Sequence, residues 1–334
     1  MASIVLDQTL LIKPNKSPQT FGKVIEEIEG LIRVYKDGKV ERPQIVPCVT
    51  PSLLAQELGV TSQDTVIDKS SDTWCRFYVP STCHSQKLPL LVYFHGGGFC
   101  VGSASWICYH EFLAKLASKL CCLIMSVNYR LAPENPLPAA YEDGFKALSW
   151  LKQQNLYNTK ANEWWSKKCD FSRIFLVGDS AGANIAHNLA IELAANEAFG
   201  AKSLKPLAFK GVILVQPFFG GQSRTVSEKP DTYWRLALPA GANRDHPWCN
   251  PLSEGPIKMD GLKLWPVMVC VSEMDILKDR NLEFCGALAR AGKKVEYVVY
   301  DGVGHAFQIL NKSQLSLNRC NEMMAHIKAF ISRY

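Results

Sequence analysis

The sequence predicts an α/β fold in which a mostly parallel sheet is covered by helices on both faces. From Pro89 onward, apolar segments of strand length alternate with segments of amphipathic helical periodicity. This alternation is typical of parallel sheets, because the connection between two parallel strands usually carries a helix that packs on the sheet. A chain of 334 residues, 47% of them hydrophobic, is long enough to bury such a sheet in one large domain.

The first part of the chain does not follow the alternation. Asp37-Gly38 lies between two short β-prone stretches within residues 31–42, and an Asp-Gly dipeptide in that setting predicts a β-hairpin. Three prolines within residues 43–51 then mark a linker-like passage. Residues 65–79 are predicted to form short antiparallel strands.

The alternating part supplies the sheet and its helices in order, interrupted by the irregular region 217–250. We expect this region and residues 1–45 to form a cap over the carboxyl edge of a single domain that spans residues 1–334. The predicted strands are residues 90–94, 121–128, 173–177, 211–216, 267–271 and 295–300. The predicted helices are residues 111–120, 139–153, 181–195, 279–291 and 315–332.

Charge and hydropathy exclude several classes of function. The net charge of +6 is small for this length, and no run of five basic residues occurs, so we expect no nucleic-acid partner. The stretch Met1–Asp7 has no basic region ahead of its apolar residues, and no run of about 18 apolar residues predicts a membrane span. We therefore expect a cytoplasmic protein that does not bind membranes.

The twelve cysteines are scattered without any C-x-x-C spacing, and we expect all of them to be reduced. Cys121 and Cys122 lie in an apolar run predicted as a strand, where they would be buried thiols on opposite faces. No metal-ligand spacing such as H-E-x-x-H occurs, and neither common glycine-rich nucleotide motif is present. We expect no metal and no cofactor.

The pentapeptide G-D-S-A-G at Gly178–Gly182 predicts a nucleophile. An apolar strand precedes it and a helix follows it, so Ser180 lies on a strand-to-helix turn, the nucleophile elbow. Side chains at the two glycine positions would collide with neighbouring backbone in so sharp a turn. Ser180 is therefore the predicted nucleophile.

The base is assigned to His305, which lies in a glycine-rich loop between a strand and the final helix. Such a loop can place an imidazole over the serine hydroxyl. We expect other histidines to be structural or exposed, because one lies in a polar loop and three lie in or at the start of helices: His84, His110, His187 and His326.

The acid is expected in the loop after the strand 267–271. Asp275 is the preferred residue, and it precedes His305 by thirty residues. Glu273 and Asp279 are the alternatives, although Asp279 fits better as the cap of the next helix. A carboxylate at this place would hold the imidazole tautomer and stabilise the imidazolium.

A run of three glycines, Gly96, Gly97 and Gly98, follows His95 directly after the strand that ends at Phe94. Without Cβ atoms, their N–H groups can point into a site, as in the HGGG motif of esterases and lipases, and bind an oxyanion. The amide of Ala181, next to the nucleophile, completes the predicted oxyanion hole. The order Ser, Asp, His along the chain is the one expected for this arrangement.

Four aromatic residues after the strand 211–216 have two interpretations. They could line a pocket for an acyl group, and core packing explains each of them equally well. They are Phe218, Phe219, Trp234 and Trp248.

The motifs H-G-G-G at 95–98, G-D-S-A-G at 178–182 and G-x-G-H-A-F at 302–307 occur in an order that resembles the hormone-sensitive-lipase-like group of α/β-hydrolases. The chain looks most like the plant carboxylesterases of that group. Y-R-L-A-P-E at 129–134 and N-R-D-H-P-W-C-N-P at 243–251 also match. The resemblance covers nearly the whole chain from about residue 25.

The resemblance implies an α/β-hydrolase fold with a triad of Ser180, Asp275 and His305 and an oxyanion hole that includes Gly97, Gly98 and Ala181. It implies a serine carboxylesterase that cleaves short or medium acyl esters of small plant metabolites in specialised metabolism. We expect the partner to be such an ester or a related metabolite, and the protein to be a monomer or homodimer.

Two alternatives come from the same group. Isoflavanone dehydratases and alkaloid-forming cyclases keep the scaffold for elimination or rearrangement, so a lyase, cyclase or dehydratase is the second hypothesis. Gibberellin receptors resemble these enzymes but lack the catalytic histidine. Because His305 is present, a non-catalytic receptor is the weakest hypothesis.

Overall fold

The computed structural model describes residues 22–51, 56–81, 83, 87–157, 160–196, 200–223, 232–254 and 261–334. The parts of the predicted cap at residues 1–21 and 224–231 therefore lie outside the described residues. The strands are β1 (Val24–Ile28), β2 (Ile32–Tyr35), β3 (Val40–Glu41), β4 (Val60–Asp68), β5 (Thr73–Pro80), β6 (Leu88–Phe94), β7 (Leu123–Asn128), β8 (Cys169–Asp179), β9 (Phe209–Val215), β10 (Val267–Ser272) and β11 (Val295–Tyr300). The helices are α1 (Ile107–Leu120), α2 (Ala139–Tyr157), α3 (Glu163–Ser166), α4 (Ala181–Ala195), α5 (Thr232–Ala237), α6 (Lys278–Arg290), α7 (Phe307–Leu310) and α8 (Gln314–Arg333), with a 3-10 turn at Lys160–Asn162. Within those ranges, no helix combines the length and the apolar character needed to cross a membrane.

The central sheet has eight strands in the order β11-β10-β9-β8-β6-β7-β5-β4. The six strands from β11 to β7 are parallel to one another, whereas β5 pairs antiparallel with both β7 and β4. The predicted α/β fold with a mostly parallel sheet is therefore confirmed. The antiparallel strands predicted within residues 65–79 are β4 and β5.

Two hydrophobic layers cover the two faces of this sheet. Successive residues of a strand point to opposite faces, and on β6 Val92 and Phe94 join one layer while Leu91 and Tyr93 join the other. Helices α2, α4 and α6 contribute to the first layer, and α1 and α8 contribute to the second. Burial on both faces explains why β6 is apolar along its whole length.

A separate small sheet is formed by β1, β2 and β3. Its second hairpin turns at Asp37-Gly38, where Gly38 has a φ of +85°, as the sequence predicts. An ion pair of 2.8 Å between Glu26 of β1 and Arg235 of α5 connects this sheet with the region 217–250.

The structure corrects the prediction for Cys121. Helix α1 extends to Leu120, so Cys121 is not in a strand but caps the helix with a left-handed φ of 50°, and β7 begins only at Leu123. In this position Cys121 forms a disulfide with Cys83, with a Cα–Cα distance of 5.8 Å. The prediction that all twelve cysteines are reduced is therefore wrong for this pair. Cys122 is a buried free thiol.

Candidate active site

Ser180 lies in the sharp turn between β8 and α4. Its φ of 52° and ψ of −117° are unusual for a residue with a side chain, and such strain concentrates at functional sites. The Ser180 amide donates to the carbonyl of Val215, at 2.8 Å, which holds the turn against β9. A Cβ at Gly182 would overlap the main-chain carbonyl of Phe94, and one at Gly178 would overlap Gly182. The two glycines of the motif are thus required by the close approach of backbone.

The imidazole of His305 lies between a hydroxyl and a carboxylate. Its Nε2 is 3.0 Å from Ser180 Oγ, and its Nδ1 is 2.7 Å from Asp275 Oδ2. Because an ionised carboxylate only accepts hydrogen bonds, Nδ1 carries the proton and donates to Asp275. Nε2 is then the acceptor for the Ser180 hydroxyl. This arrangement can take a proton from the serine.

The pKa of His305 is raised above its ordinary value. Burial of the ring favours the neutral form, but the charge of Asp275 and its hydrogen bond favour the protonated form. The charge of Asp179 acts in the same direction. Together the two carboxylates outweigh the effect of burial, so the site is built to stabilise an imidazolium.

Of the three acids considered from the sequence, the structure brings Asp275 to His305. Asp275 is 4% exposed, and its second oxygen accepts from the amide of Leu277 at 3.0 Å. Glu273 instead accepts from the amide of Gly302, at 2.8 Å, and steadies the loop ahead of His305. Asp279 lies in the first turn of α6, whose cap residue is Leu277, so Asp279 is not the cap residue that we predicted.

The three glycines after β6 have different environments. The amide of Gly96 donates to the hydroxyl of Tyr109, at 2.7 Å, and to Asp179. The N–H group of Gly96 is therefore used inside the protein, and Gly96 is the least suited of the four predicted oxyanion donors. Gly97 and Gly98 have left-handed φ values of 115° and 59°.

The amides of Gly97, Gly98 and Ala181 have no hydrogen-bond partner among the residues that the structure describes. A Cβ at Gly98 would overlap the ring of Tyr233, and one at Gly97 would overlap the carbonyl of Val101. These two positions therefore require glycine. Their free N–H groups are the remaining candidates for binding an oxyanion, together with that of Ala181.

Asp179, next to Ser180, is a buried carboxylate that the sequence did not single out. It is 1% exposed and accepts from the hydroxyls of Tyr93, at 2.6 Å, and Tyr109, at 2.9 Å. Burial raises its pKa to about 6 although these hydroxyls and the amide of Gly96 favour the charged form. Asp179 thus fixes the start of the glycine loop and places a charge near His305.

His95 packs inside the protein, where it contacts the start of the glycine loop. Its ring is fully buried and stacks on Tyr129, with 4.3 Å between the ring centres, and its Nδ1 bonds the carbonyl of Gly96 at 2.8 Å. Burial lowers the pKa of His95 to about 4. This histidine is therefore neutral and holds the loop in shape.

Arg42, from the segment after β3, holds the far end of the glycine loop. Its guanidinium donates to the carbonyl of Cys100, at 2.6 Å, and to that of Ala132, at 2.8 Å. It also forms a bidentate ion pair with Glu134. The amide of Cys100 in turn donates to the carbonyl of Gly97. No sequence motif indicates the role of Arg42, because the residues that it contacts are more than fifty positions away in the sequence.

The four aromatic residues with two interpretations all contribute to one hydrophobic core: Phe218, Phe219 and Trp234 are buried in it, and Trp248 packs against it. Phe219 packs against Phe284 of α6, with 4.8 Å between ring centres, so it belongs to the core. Phe218 stacks on Trp234 at 4.6 Å, and its amide donates to the carbonyl of Ser180 at 3.0 Å. Trp248 packs on Tyr141. Of the four, Phe218 is thus hydrogen-bonded directly to Ser180.

The sheet order, the strained serine turn and the Ser180–His305–Asp275 contacts define an α/β-hydrolase. The family model described as alpha/beta hydrolase fold matches residues 91–309, and the chain belongs to this family. Among the described residues, no group of three metal-ligating side chains is present.

Two curated proteins and one solved structure indicate where the chain lies in the family. It is 49% identical to the probable carboxylesterase 6 of Arabidopsis thaliana, over 100% of this chain and 99% of the relative. It is 38% identical to a 2-hydroxyisoflavanone dehydratase of Glycyrrhiza echinata, over 88% and 92% of the two chains. A hyperthermophilic esterase of Pyrobaculum calidifontis superposes with a TM-score of 0.65 at 25% identity, over 84% and 86%. The predicted resemblance to plant carboxylesterases is confirmed.

Proposed function

We propose that the protein is a serine carboxylesterase that hydrolyses short or medium acyl esters of small plant metabolites. One observation carries the proposal: a continuous series of contacts from Ser180 through His305 to Asp275. The similarity over the full chain to a carboxylesterase supports the same reaction class.

In the proposed reaction, Ser180 Oγ attacks the ester carbonyl carbon while His305 Nε2 takes the hydroxyl proton. The carbon–oxygen bond to the alcohol then breaks, and the alcohol leaves with the proton from His305. Water adds to the acyl-enzyme as His305 again accepts a proton, and the carboxylic acid departs as Ser180 regains its hydrogen. Asp275 keeps the imidazole oriented and stabilises its positive charge throughout.

The negative charge on the tetrahedral oxygen needs donors that do not have to reorganise. We assign this role to the amides of Gly97, Gly98 and Ala181, since the amide of Gly96 is used by Tyr109 and Asp179. The left-handed backbone at both glycines supports the assignment, because it turns consecutive N–H groups in directions that ordinary residues rarely allow.

For the cap, we propose the two segments predicted from the sequence, residues 1–45 and 217–250. The ion pair between Glu26 and Arg235 joins them. The ring of Tyr233 lies against Gly98, so the second segment reaches the glycine loop. We therefore assign substrate selection to this part of the molecule.

A panel of nitrophenyl esters of increasing acyl length tests the proposal. Ser180→Ala is expected to lower turnover by about 10⁴-fold or more, as removal of a triad nucleophile does elsewhere. Ser126→Ala is the matched control, because Ser126 is a buried serine of β7 whose hydroxyl has no partner in the described part of the chain. Absence of ester turnover in the wild type would contradict the proposal.

A second candidate function is elimination, favoured by the identity of 38% to a dehydratase. Stopped-flow measurement separates it from hydrolysis, since an esterase releases nitrophenol in a burst as the acyl-enzyme forms. A lyase would convert a hydroxylated substrate without that burst, and a receptor would bind ligand equally well after Ser180→Ala.

The cytoplasmic location stays a proposal, tested by imaging a fluorescent fusion.

A further inference from the structure

Gln216 occupies a central place in the sheet that the reaction outlined above does not use. It directly follows β9, which lies between the strand of the nucleophile, β8, and the strand of the acid, β10. Its amide donates to the carbonyl of Cys270 at 2.8 Å, and its side chain is 1% exposed. Its φ of 49° is left-handed, a conformation that costs energy for a residue other than glycine.

The side-chain amide of Gln216 connects two loops of the site. Nε2 donates to the hydroxyl of Ser272, at 2.5 Å, and Oε1 accepts from the amide of Ala306, at 2.6 Å. Ser272 is the last residue of β10, three residues before Asp275. Ala306 is the residue after His305. One buried amide therefore links the loop of the acid to the loop of the base.

The loop of His305 needs such a link. It contains Gly302 and Gly304, and Ala306 has a left-handed φ of 55° just ahead of α7. Ala306 is 8% exposed, so without Gln216 its N–H group would be buried without a partner, which costs free energy. The contact with Gln216 thus selects the backbone conformation from which His305 reaches Ser180.

We propose that Gln216 is a positioning residue that sets the place of the His305 imidazole between Ser180 and Asp275. The inference rests on the proposed function, in which His305 is the base. Gln216 does not touch the reacting atoms; it acts through the backbone at Ala306 and through Ser272.

Gln216→Met tests the inference, because methionine has a similar shape and removes both hydrogen bonds. We expect kcat for a nitrophenyl ester to fall about 10- to 100-fold, the cost of a misplaced catalytic group, with KM changed by less than about twofold. Active-site titration with a phosphonate corrects for any inactive fraction. Gln308→Met is the matched control, since Gln308 is also a buried glutamine, three residues after His305, and its amide atoms have no partner within the described ranges.

The pH profile separates positioning from a contribution to stability alone. Asp275 raises the pKa of His305, so a looser pair should lower that pKa. The base must be neutral, and the acid limb of kcat/KM is therefore expected to move to lower pH in Gln216→Met. A variant with a lower melting temperature but unchanged kcat and an unchanged acid limb would overturn the inference.

Ser272→Ala provides an independent measurement if Gln216→Met does not fold. It removes only the acceptor for Nε2, and we expect a loss in kcat of about three- to tenfold with the same shift of the acid limb. The double variant should lose little more kcat than Gln216→Met alone, because both changes break the same hydrogen bond between Gln216 and Ser272. If Ser272→Ala has the kcat and acid limb of the wild type, the inference is wrong. If the wild type turns over no ester, the proposed function fails, and the inference fails with it.

Discussion

Replacing Asp179 by asparagine is expected to stabilise the protein while weakening catalysis. Asp179 is 1% exposed, and its partners are two hydroxyls and one amide. Burial raises its pKa to about 6, whereas an unfolded aspartate has a pKa of about 3.9. The folded protein therefore holds this proton more tightly than the unfolded chain does. Stability contributed by the protonated form is complete below about pH 4 and is lost as the pH rises towards 6.

The difference between these two pKa values corresponds to about 3 kcal/mol of destabilisation above pH 6, relative to a neutral group in the same place. Asparagine keeps an oxygen for Tyr93 and Gly96, and its NH₂ group can donate to the hydroxyl of Tyr109. We expect the free energy of unfolding of Asp179→Asn to exceed that of the wild type by about 1–3 kcal/mol at pH 8, and by about 1 kcal/mol or less at pH 4.5.

Catalysis should change in the opposite direction. The charge of Asp179 helps to raise the pKa of His305, so its removal makes the imidazolium of the transition state less stable. The loss of one negative charge that acts on His305 justifies a loss in kcat of about three- to tenfold. The acid limb of kcat/KM should move to lower pH.

Calorimetry at pH 4.5 and pH 8, with ester kinetics on the same samples, measures both effects. Asp143→Asn is the matched control, because Asp143 is equally buried but is paired with Arg130 at 2.9 Å. Breaking that pair should lower stability, by about 3–5 kcal/mol, at pH 8. A variant Asp179→Asn that is less stable than the wild type at pH 8, or whose gain is the same at both pH values, would refute the reasoning.

Three further predictions follow from contacts in and near the site. Asp275→Asn should lower kcat by about 10⁴-fold and Glu273→Gln by less than about tenfold, and a larger loss in the second would contradict the assignment of the acid. Arg42→Ala should lower kcat by about tenfold because the glycine loop becomes looser, and Arg42→Lys should recover part of this loss. Equal kcat in the wild type and both variants would show that the contacts of Arg42 with this loop have no role in catalysis. Reduction of the disulfide of Cys83, which closes a loop with a sequence separation of 38, should lower the free energy of unfolding by about 3–4 kcal/mol, and Cys83→Ser should be insensitive to reductant.

The arrangement of Ser180, Asp275 and His305 could be predicted from the sequence because each of these residues follows a predicted strand. Ser180 follows β8, Asp275 follows β10 and His305 follows β11, and these strands are recognisable from composition alone. No comparable pattern in the sequence indicates the direction in which a backbone N–H group points. Three consecutive glycines therefore suggested three oxyanion donors, although the amide of Gly96 turns inward to Asp179.

Contacts between distant parts of the chain account for most of what the sequence could not predict. Arg42 reaches Cys100 across 58 residues, and Gln216 reaches Ala306 across 90. Neither side chain belongs to a motif, and either one, taken alone, would be interpreted as an ordinary polar residue. Cys121 was assigned to a strand because the apolar run around it does not reveal where the helix ends and the strand begins.

The strand order explains why an amide, and not a second titratable group, links the two loops. The carboxyl ends of parallel neighbouring strands meet at one edge of the sheet, and β9 lies between β8 and β10 there. A residue after β9 therefore adjoins the acid loop after β10. It also meets the base loop, because that loop, after β11, reaches back to Ser180. A carboxylate at that place would add a third buried negative charge beside Asp179 and Asp275, whereas an imidazolium would compete with His305 for them. A neutral group with one donor and one acceptor joins Ser272 to Ala306 without disturbing the charges on which the reaction depends.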